Sequence, residues 1–112
     1  MKLLTFAELR AQNTSRAIET FGHNHLLNDW SPTDWGCALA GEVGELCNLL
    51  KKWRRKDFVT ASESELAAIG DEIADVQIYL DLLASSLKMH LDEVLVRKFN
   101  IVSERMNSVR KL

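Results

Sequence analysis

Proline is almost missing from this chain and glycine is sparse: one and five residues in 112. Such a composition, with 27% charged residues, is that of a globular protein and not of a disordered or low-complexity one. Long apolar runs are absent too. None approaches the ~20 residues that cross a bilayer, and the opening MKLLTFAELR turns polar and acidic too soon for a secretory signal. Cysteine is limited to Cys37 and Cys47, ten apart and without a CxxC partner. They are expected to be small buried residues in a reducing compartment, not a disulfide or a zinc site, which places the protein in the cytoplasm. Charge of one sign is lacking as well. The net charge of −2 gives no reason to expect nucleic acid or an anionic membrane as partner. No strand pattern, proline-rich linker or low-complexity tract divides the chain, so residues 1–112 are expected to form one domain. With 46% hydrophobic residues it can bury a small core.

What the chain does have is a segment and its echo. Leu39 to Leu50, LAGEVGELCNLL, is followed thirty residues later by Ile69 to Leu80, IGDEIADVQIYL. Superposed, Glu42 meets Glu72 and Glu45 meets Asp75. At about 100° per residue, Leu39, Val43, Leu46, Leu50 and Trp53 fall in one stripe of a helix, as do Ile69, Ile73, Val76, Leu80 and Leu83. The acids border these stripes. Residues three apart share a helix face, so each pair can point at one place. Two such helices side by side would gather four carboxylates beside a core, where uncompensated charge is costly. A divalent cation would offset the repulsion.

The rest of the chain is expected to be helical. Thr5 to Glu8 fits a capping box that starts a first helix, with apolar positions Phe6, Leu9, Ala17 and Phe21 and a stop at Gly22. GHNHLLNDW reads as an irregular connection. Ser31-Pro32-Thr33-Asp34 starts a second helix, running to about Arg54. Its basic tail, Lys51, Lys52, Arg54 and Arg55, either complements the helix dipole or meets phosphate. Lys56 to Ala61 reads as a loop, and Ser62 to Glu65 as another capping box opening a third helix to about Lys88. A fourth helix runs from about Asp92, with Leu91, Val94, Leu95, Lys98, Phe99 and Val102 at helical spacing. The expected fold is all-α, about four main helices, with the two central ones antiparallel.

Acids three apart are common on helix surfaces, and a single ExxE says little. Here the pair occurs twice in matching phase, borders the apolar stripe, and is flanked by Gly41, Gly44 and Ala74. Carboxylates without thiolate or imidazole suit magnesium, with manganese as a possible substitute. Di-iron helical proteins use Glu-x-x-His, and no histidine stands three residues after Glu42, Glu45 or Glu72. Magnesium held by few protein ligands usually keeps waters and binds phosphates. The cations Lys51, Lys52, Arg54 and Lys98 could hold the remainder of a polyphosphate.

ALAGEVGELCNLLKKW followed by DEIADVQIYLDLLA resembles the MazG-like members of the all-α nucleoside triphosphate pyrophosphohydrolase superfamily. Their signature is ExxE, a spacer and ExxD, and Glu42, Glu45, Glu72 and Asp75 match it with twenty-six residues between the halves. The resemblance covers about residues 30 to 105. It implies a MazG-like bundle, magnesium held by the four acids, and hydrolysis of a (d)NTP to (d)NMP and pyrophosphate, with Glu42 or Glu45 handling the attacking water. A nucleotide-pool house-cleaning role would follow. Lys98 matches a phosphate-facing lysine of the family, with Asn100 and Arg105 as helpers, and Tyr79 stands where relatives place an aromatic near base or sugar. Lys51 and Lys52 stand where relatives vary between a basic residue and tryptophan. Trp30, Trp35 or Trp53 could stack on the base, Trp35 and Trp53 being also candidates for core or subunit contact, and the loop histidines His23 and His25 could contact base or phosphate. The family builds its site between subunits, which implies a homodimer or a dimer of dimers. The alternative is a non-catalytic helical module that binds nucleotide, metal or another protein.

Overall fold

A computed structural model describes residues 1–21, 29–56 and 60–112. Among them the architecture is all-α: α1 (Phe6–Phe21), α2 (Pro32–Arg55), α3 (Glu63–Ser86) and α4 (Leu91–Arg105). The proposed stop at Gly22, the histidines His23 and His25, and the middle of the Lys56–Ala61 loop lie outside the described residues.

Two helix starts form as the local chemistry dictates. The Thr5 hydroxyl accepts from the Glu8 amide at 3.1 Å while the Glu8 carboxylate accepts from the Thr5 amide at 2.9 Å. Ser31 and Asp34 make the same exchange, at 3.2 and 2.8 Å, and Pro32 occupies the first turn, where no amide is needed. The third box is only half made. Ser62 accepts from the Glu65 amide at 3.2 Å, but the Glu65 carboxylate turns to the Lys56 ammonium at 2.8 Å, because a charge-assisted bond outcompetes a neutral amide. That ion pair holds the pKa of Glu65 below its ordinary value. α3 and α4 both end with a left-handed residue that is not glycine, Lys88 (φ 56°) and Asn107 (φ 55°). At each, an amide reaches back to the last turn: Met89 to the Ala84 carbonyl at 2.9 Å and Ser108 to the Ser103 carbonyl at 2.8 Å. These are Schellman ends. The tail beyond α4 then returns to Asn100, whose side chain bonds the backbone of Leu112.

α2 and α3 pack along their length. Lys56 meets Glu65, Glu45 meets Glu72 and Trp35 meets Tyr79. The first number falls as the second rises, so the two helices are antiparallel. The seam repeats every seven residues, the spacing of helices crossing at a shallow angle. On α2 it runs Trp35, Glu42, Leu49 and Leu39, Leu46, Trp53. On α3 it runs Glu65, Glu72, Tyr79 and Ile69, Val76, Leu83. All of these are buried or half-buried. The expected stripes are therefore rotated by part of a turn. Val43, Leu50 and Ile73, expected to face the core, are exposed, and Glu42 and Glu72 sit in the seam instead of beside it. Cys47 lies on that exposed flank, and Cys37 is exposed too. The expectation that the cysteines are buried is thus corrected; both are free thiols.

The innermost core is small: Trp35, Ala17 and Leu82, with Trp30, Ile78, Tyr79 and Leu83 against it. α1 is fastened to α3 by polar groups. Asp81 is 1% exposed. It accepts from the Arg10 guanidinium at 2.9 Å and from the Asn13 amide at 3.1 Å. Arg10 also donates to the Met89 carbonyl at 2.8 Å, and Asn13 to that of Ile78 at 3.0 Å. One guanidinium thereby ties α1, α3 and the turn into α4. α4 itself makes only marginal contact with the other helices. No described helix is long and apolar enough to cross a membrane.

Truncating Asp81 to alanine would leave Arg10 and Asn13 without their acceptor. Removing one partner of a buried ion pair is expected to cost about 3 kcal/mol, measured as a loss of unfolding free energy in urea. A change of a few tenths would show that α1 is held by its apolar contacts alone.

Candidate metal centre

The helix pairing carries the acids into one place. Oxygens of Glu42, Glu45 and Glu72 lie within 4.8 Å of one another. Glu42 and Glu72 are half-buried and Glu45 is exposed. Each comes from the middle of a long helix, so backbone rigidity, not a loop, sets their spacing. Within hydrogen-bonding range of Glu45 and facing like charge, two of these carboxyls hold their protons more tightly than usual. The pKa of Glu42 is raised by burial first, then by the charges of Glu45, Asp75 and Glu72. That of Glu72 is raised by burial, then by Glu45 and Asp75. Asp75 therefore belongs to the electrostatic cluster, although the closest approach is among the three glutamates.

One atom stands out in this arrangement. Glu72 Oε2 is inaccessible to solvent and has no hydrogen-bond partner. A buried acceptor left unsatisfied costs about 1–3 kcal/mol, more if charged. A cation among three carboxylates would satisfy it and remove the repulsion. The donor set, oxygens only, fits a hard divalent ion.

Along the same face lies an open groove of about 380 Å³, lined chiefly by Leu49, Trp53, Ala68 and Ile69 with Lys52, Lys56, Ser64 and Glu65. Leu49 is one turn beyond Glu45, and Ala68 and Ile69 are one turn before Glu72, so groove and acids adjoin. The structure thus brings Glu42, Glu45 and Glu72 together, with Asp75 within electrostatic reach; Lys52 and Trp53 line the groove about two turns of α2 beyond Glu45. Lys51 is exposed. Trp30 is half-buried against the core, its ring centroid 4.5 Å from that of Trp35. Tyr79 packs on the other side of Trp35, at 6.4 Å. Trp35 is core, at 2% exposure. Lys98 and Arg105 are exposed on α4, and Asn100 holds the C-terminal tail; none of the three joins the acid cluster within one chain. Ser64 and Glu65, which line the groove, have no sequence signal beyond their place at a helix start. No protein-family model matches the chain, and no curated protein matches it by sequence.

The raised carboxyls fix a pH dependence. Glu42 and Glu72 bind protons more tightly folded than unfolded, so folding takes up protons from the ordinary value of 4.5 upward. Their contribution to stability is present below that range and lost as pH rises through the raised values. The lowered groups, Glu8 and Glu65, act below 4.5 and in the opposite sense. Melting in chelator from pH 4.5 upward should therefore show Tm falling less steeply in Glu42→Gln than in the parent chain. Added magnesium should reverse the fall in the parent, by about 2.7 kcal/mol at a hundredfold excess over Kd, and do little for the variant. Parallel curves with and without magnesium would contradict the cluster's reading as a cation site.

Proposed function

We propose that this protein is a magnesium-dependent nucleoside triphosphate pyrophosphohydrolase of the MazG-like kind. The observation that carries the reading is the convergence of Glu42, Glu45 and Glu72 across two antiparallel helices, with a buried carboxylate oxygen that nothing in the chain satisfies. The ExxE and ExxD pairs and their EVGEL and DEIADV surroundings support the family likeness. The adjoining groove supports a nucleotide over phosphate alone, because it couples cations to an indole face.

In this reading Glu42, Glu45 and Glu72, aided by Asp75, hold magnesium. The ion would neutralise polyphosphate charge and make a bound water nucleophilic near neutral pH. The remaining work falls to the chain's own groups. Glu45, the exposed member of the trio, is the carboxylate that solvent reaches, and it is placed to accept a proton from an attacking water. Glu42 and Glu72, held in the seam, keep their positions while charge shifts, so little reorganisation accompanies the reaction. Lys52 offers its ammonium to phosphate oxygens at the groove's edge. Trp53 offers a flat apolar face to a base, a contact that tolerates any base. Water adds to phosphorus, the α–β anhydride bond breaks, and pyrophosphate leaves with the bonding electrons.

Pyrophosphate release should be measured over a panel of ribo- and deoxyribonucleoside triphosphates with magnesium. Release is expected from at least one of them, and Glu45→Gln should lower the rate by at least about a hundredfold. Equal release by parent and variant would contradict catalysis at this site. Magnesium-dependent nucleotide binding without release would instead favour a non-catalytic binding module.

A further inference from the structure

α4 leaves the body of the protein without the supports that direct the other helices. His90, at its cap position, makes no side-chain bond to the helix start, whereas Thr5, Ser31 and Ser62 each accept an amide of theirs. Its buried residues are Leu91, the first, and Ser103, whose carbonyl accepts the Ser108 amide of the returning tail. Between them Leu95, Val96, Phe99 and Ile101 are 41% to 46% exposed, so among the described residues no apolar seam fixes the direction of this helix. The start of α4 does not close tightly on α1 either. A cavity of about 290 Å³ lies between them, walled by Phe6, Ala7, Ala11 and Leu91, with Arg10 and Asp81 in its lining.

The direction of α4 is therefore set at the turn that follows α3, and that turn is not self-supporting. Lys88 holds a left-handed conformation (φ 56°) that costs free energy in any residue but glycine. It persists because the Met89 peptide is gripped on both sides. The Met89 amide donates to the Ala84 carbonyl at 2.9 Å, and the Met89 carbonyl accepts from Arg10 Nη2 at 2.8 Å. The first bond belongs to the end of α3 and accompanies any turn of this kind. The second comes from α1, 79 residues away in the chain. Its donor is itself held. Arg10 Nε donates to Asp81 at 2.9 Å, and the other oxygen of Asp81 accepts from Asn13 at 3.1 Å. The side chain of Met89 is 46% exposed, so the peptide and not the thioether is what the clamp holds.

We infer that Arg10 is a positioning residue that sets the direction of α4, its two N–H edges dividing the work. The Nε edge fastens α1 to α3 through Asp81, and the Nη2 edge locks a hinge at Lys88 and Met89. Hinges of this kind are a few residues at the end of an element that absorb the change in backbone angle, and the cavity beside Leu91 leaves room for α4 to tilt when the lock opens. Arg97, Lys98 and Arg105 are exposed along α4, so the clamp decides where these cations are presented. A guanidinium serves two acceptors at a fixed angle, whereas an ammonium is a point charge on a flexible stem. Arg10→Lys thus keeps the charge beside Asp81 and gives up the hinge bond. The inference goes beyond the proposed hydrolysis and stands whether or not the acids catalyse anything.

Backbone amide dipolar couplings, measured by nuclear magnetic resonance on the weakly aligned intact chain, test it. In the parent, α1, the α2–α3 hairpin and α4 should share one alignment of equal magnitude. In Arg10→Lys, α1 and the hairpin should keep it, because Asn13 and the remaining charge still hold Asp81. The couplings of α4 should fall by at least about half, as in a helix freed to tilt. A variant whose α4 keeps the full alignment overturns the inference. A loss in α1 equal to that in α4 overturns it too, since Arg10 would then be a general tie and not the director of one helix. So does a parent whose α4 is already averaged. Should Arg10→Lys not fold, the guanidinium of the parent decides. An Arg10 Nη2 proton clamped on the Met89 carbonyl gives a separate, slowly exchanging signal with scalar coupling to that carbonyl carbon. A single averaged Nη signal would contradict the clamp.

Discussion

The structure depends on a repulsion placed inside its best-packed seam. α2 and α3 meet along a seven-residue repeat, and at the middle of each repeat, where an apolar side chain would serve packing, the chain has glutamate. Glu42 stands between Trp35 and Leu49, and Glu72 between Glu65 and Tyr79. The neighbours hold the helices together firmly enough to keep these carboxyls close, and Glu45 adds a third. Leucine at both seam positions would pack without this repulsion, so the glutamates lower the stability of the seam in the absence of a cation. Helix rigidity then supplies what a cation site needs, which is donors fixed before the ion arrives.

Around this seam the other elements do separate tasks. α1 is tied to the far half of α3 through Arg10, Asn13 and Asp81, more than a turn from Asp75 and further from Glu72. The start of α3 turns Glu65 to Lys56, which keeps that glutamate out of the cluster and closes one end of the groove. Lys52 and Trp53 are left at the groove, about two turns of α2 beyond Glu45. α4 barely touches the hairpin, so Lys98 and Arg105 could reach a ligand held by the acids only if another copy or another arrangement supplied them.

Much of this was legible in the residues, for reasons that can be named. The caps at Thr5 and Ser31 are local chemistry, complete within four residues. The acid pairs were legible because helical spacing is fixed and the motif occurs twice. The rotation of the stripes was not. Val43, Leu50 and Ile73 satisfy the same periodicity as the seam residues, and a glutamate flanked by Trp35 and Leu49 reads as the border of an apolar stripe, not as its centre. Only the partner helix decides which apolar positions it covers. The Arg10–Asp81 contact joins residues far apart in sequence, and its one local sign is an acid inside the apolar run from Ile78 to Leu83. Cys37 and Cys47 are exposed against expectation because residue type predicts burial only on average. Lys88 and Asn107 adopt left-handed turns without the glycine that usually marks them.

The central claim is that the α2–α3 seam presents its carboxylates to a divalent cation. Electron paramagnetic resonance of manganese tests it most directly, because the sharp signal of the free hydrated ion disappears on binding. Titrating the chain with Mn²⁺ should show that signal suppressed, with magnesium competing for the same site. Glu72→Gln should release the ion at least about tenfold more readily. Identical titrations for the parent chain and for Glu72→Gln would contradict the account.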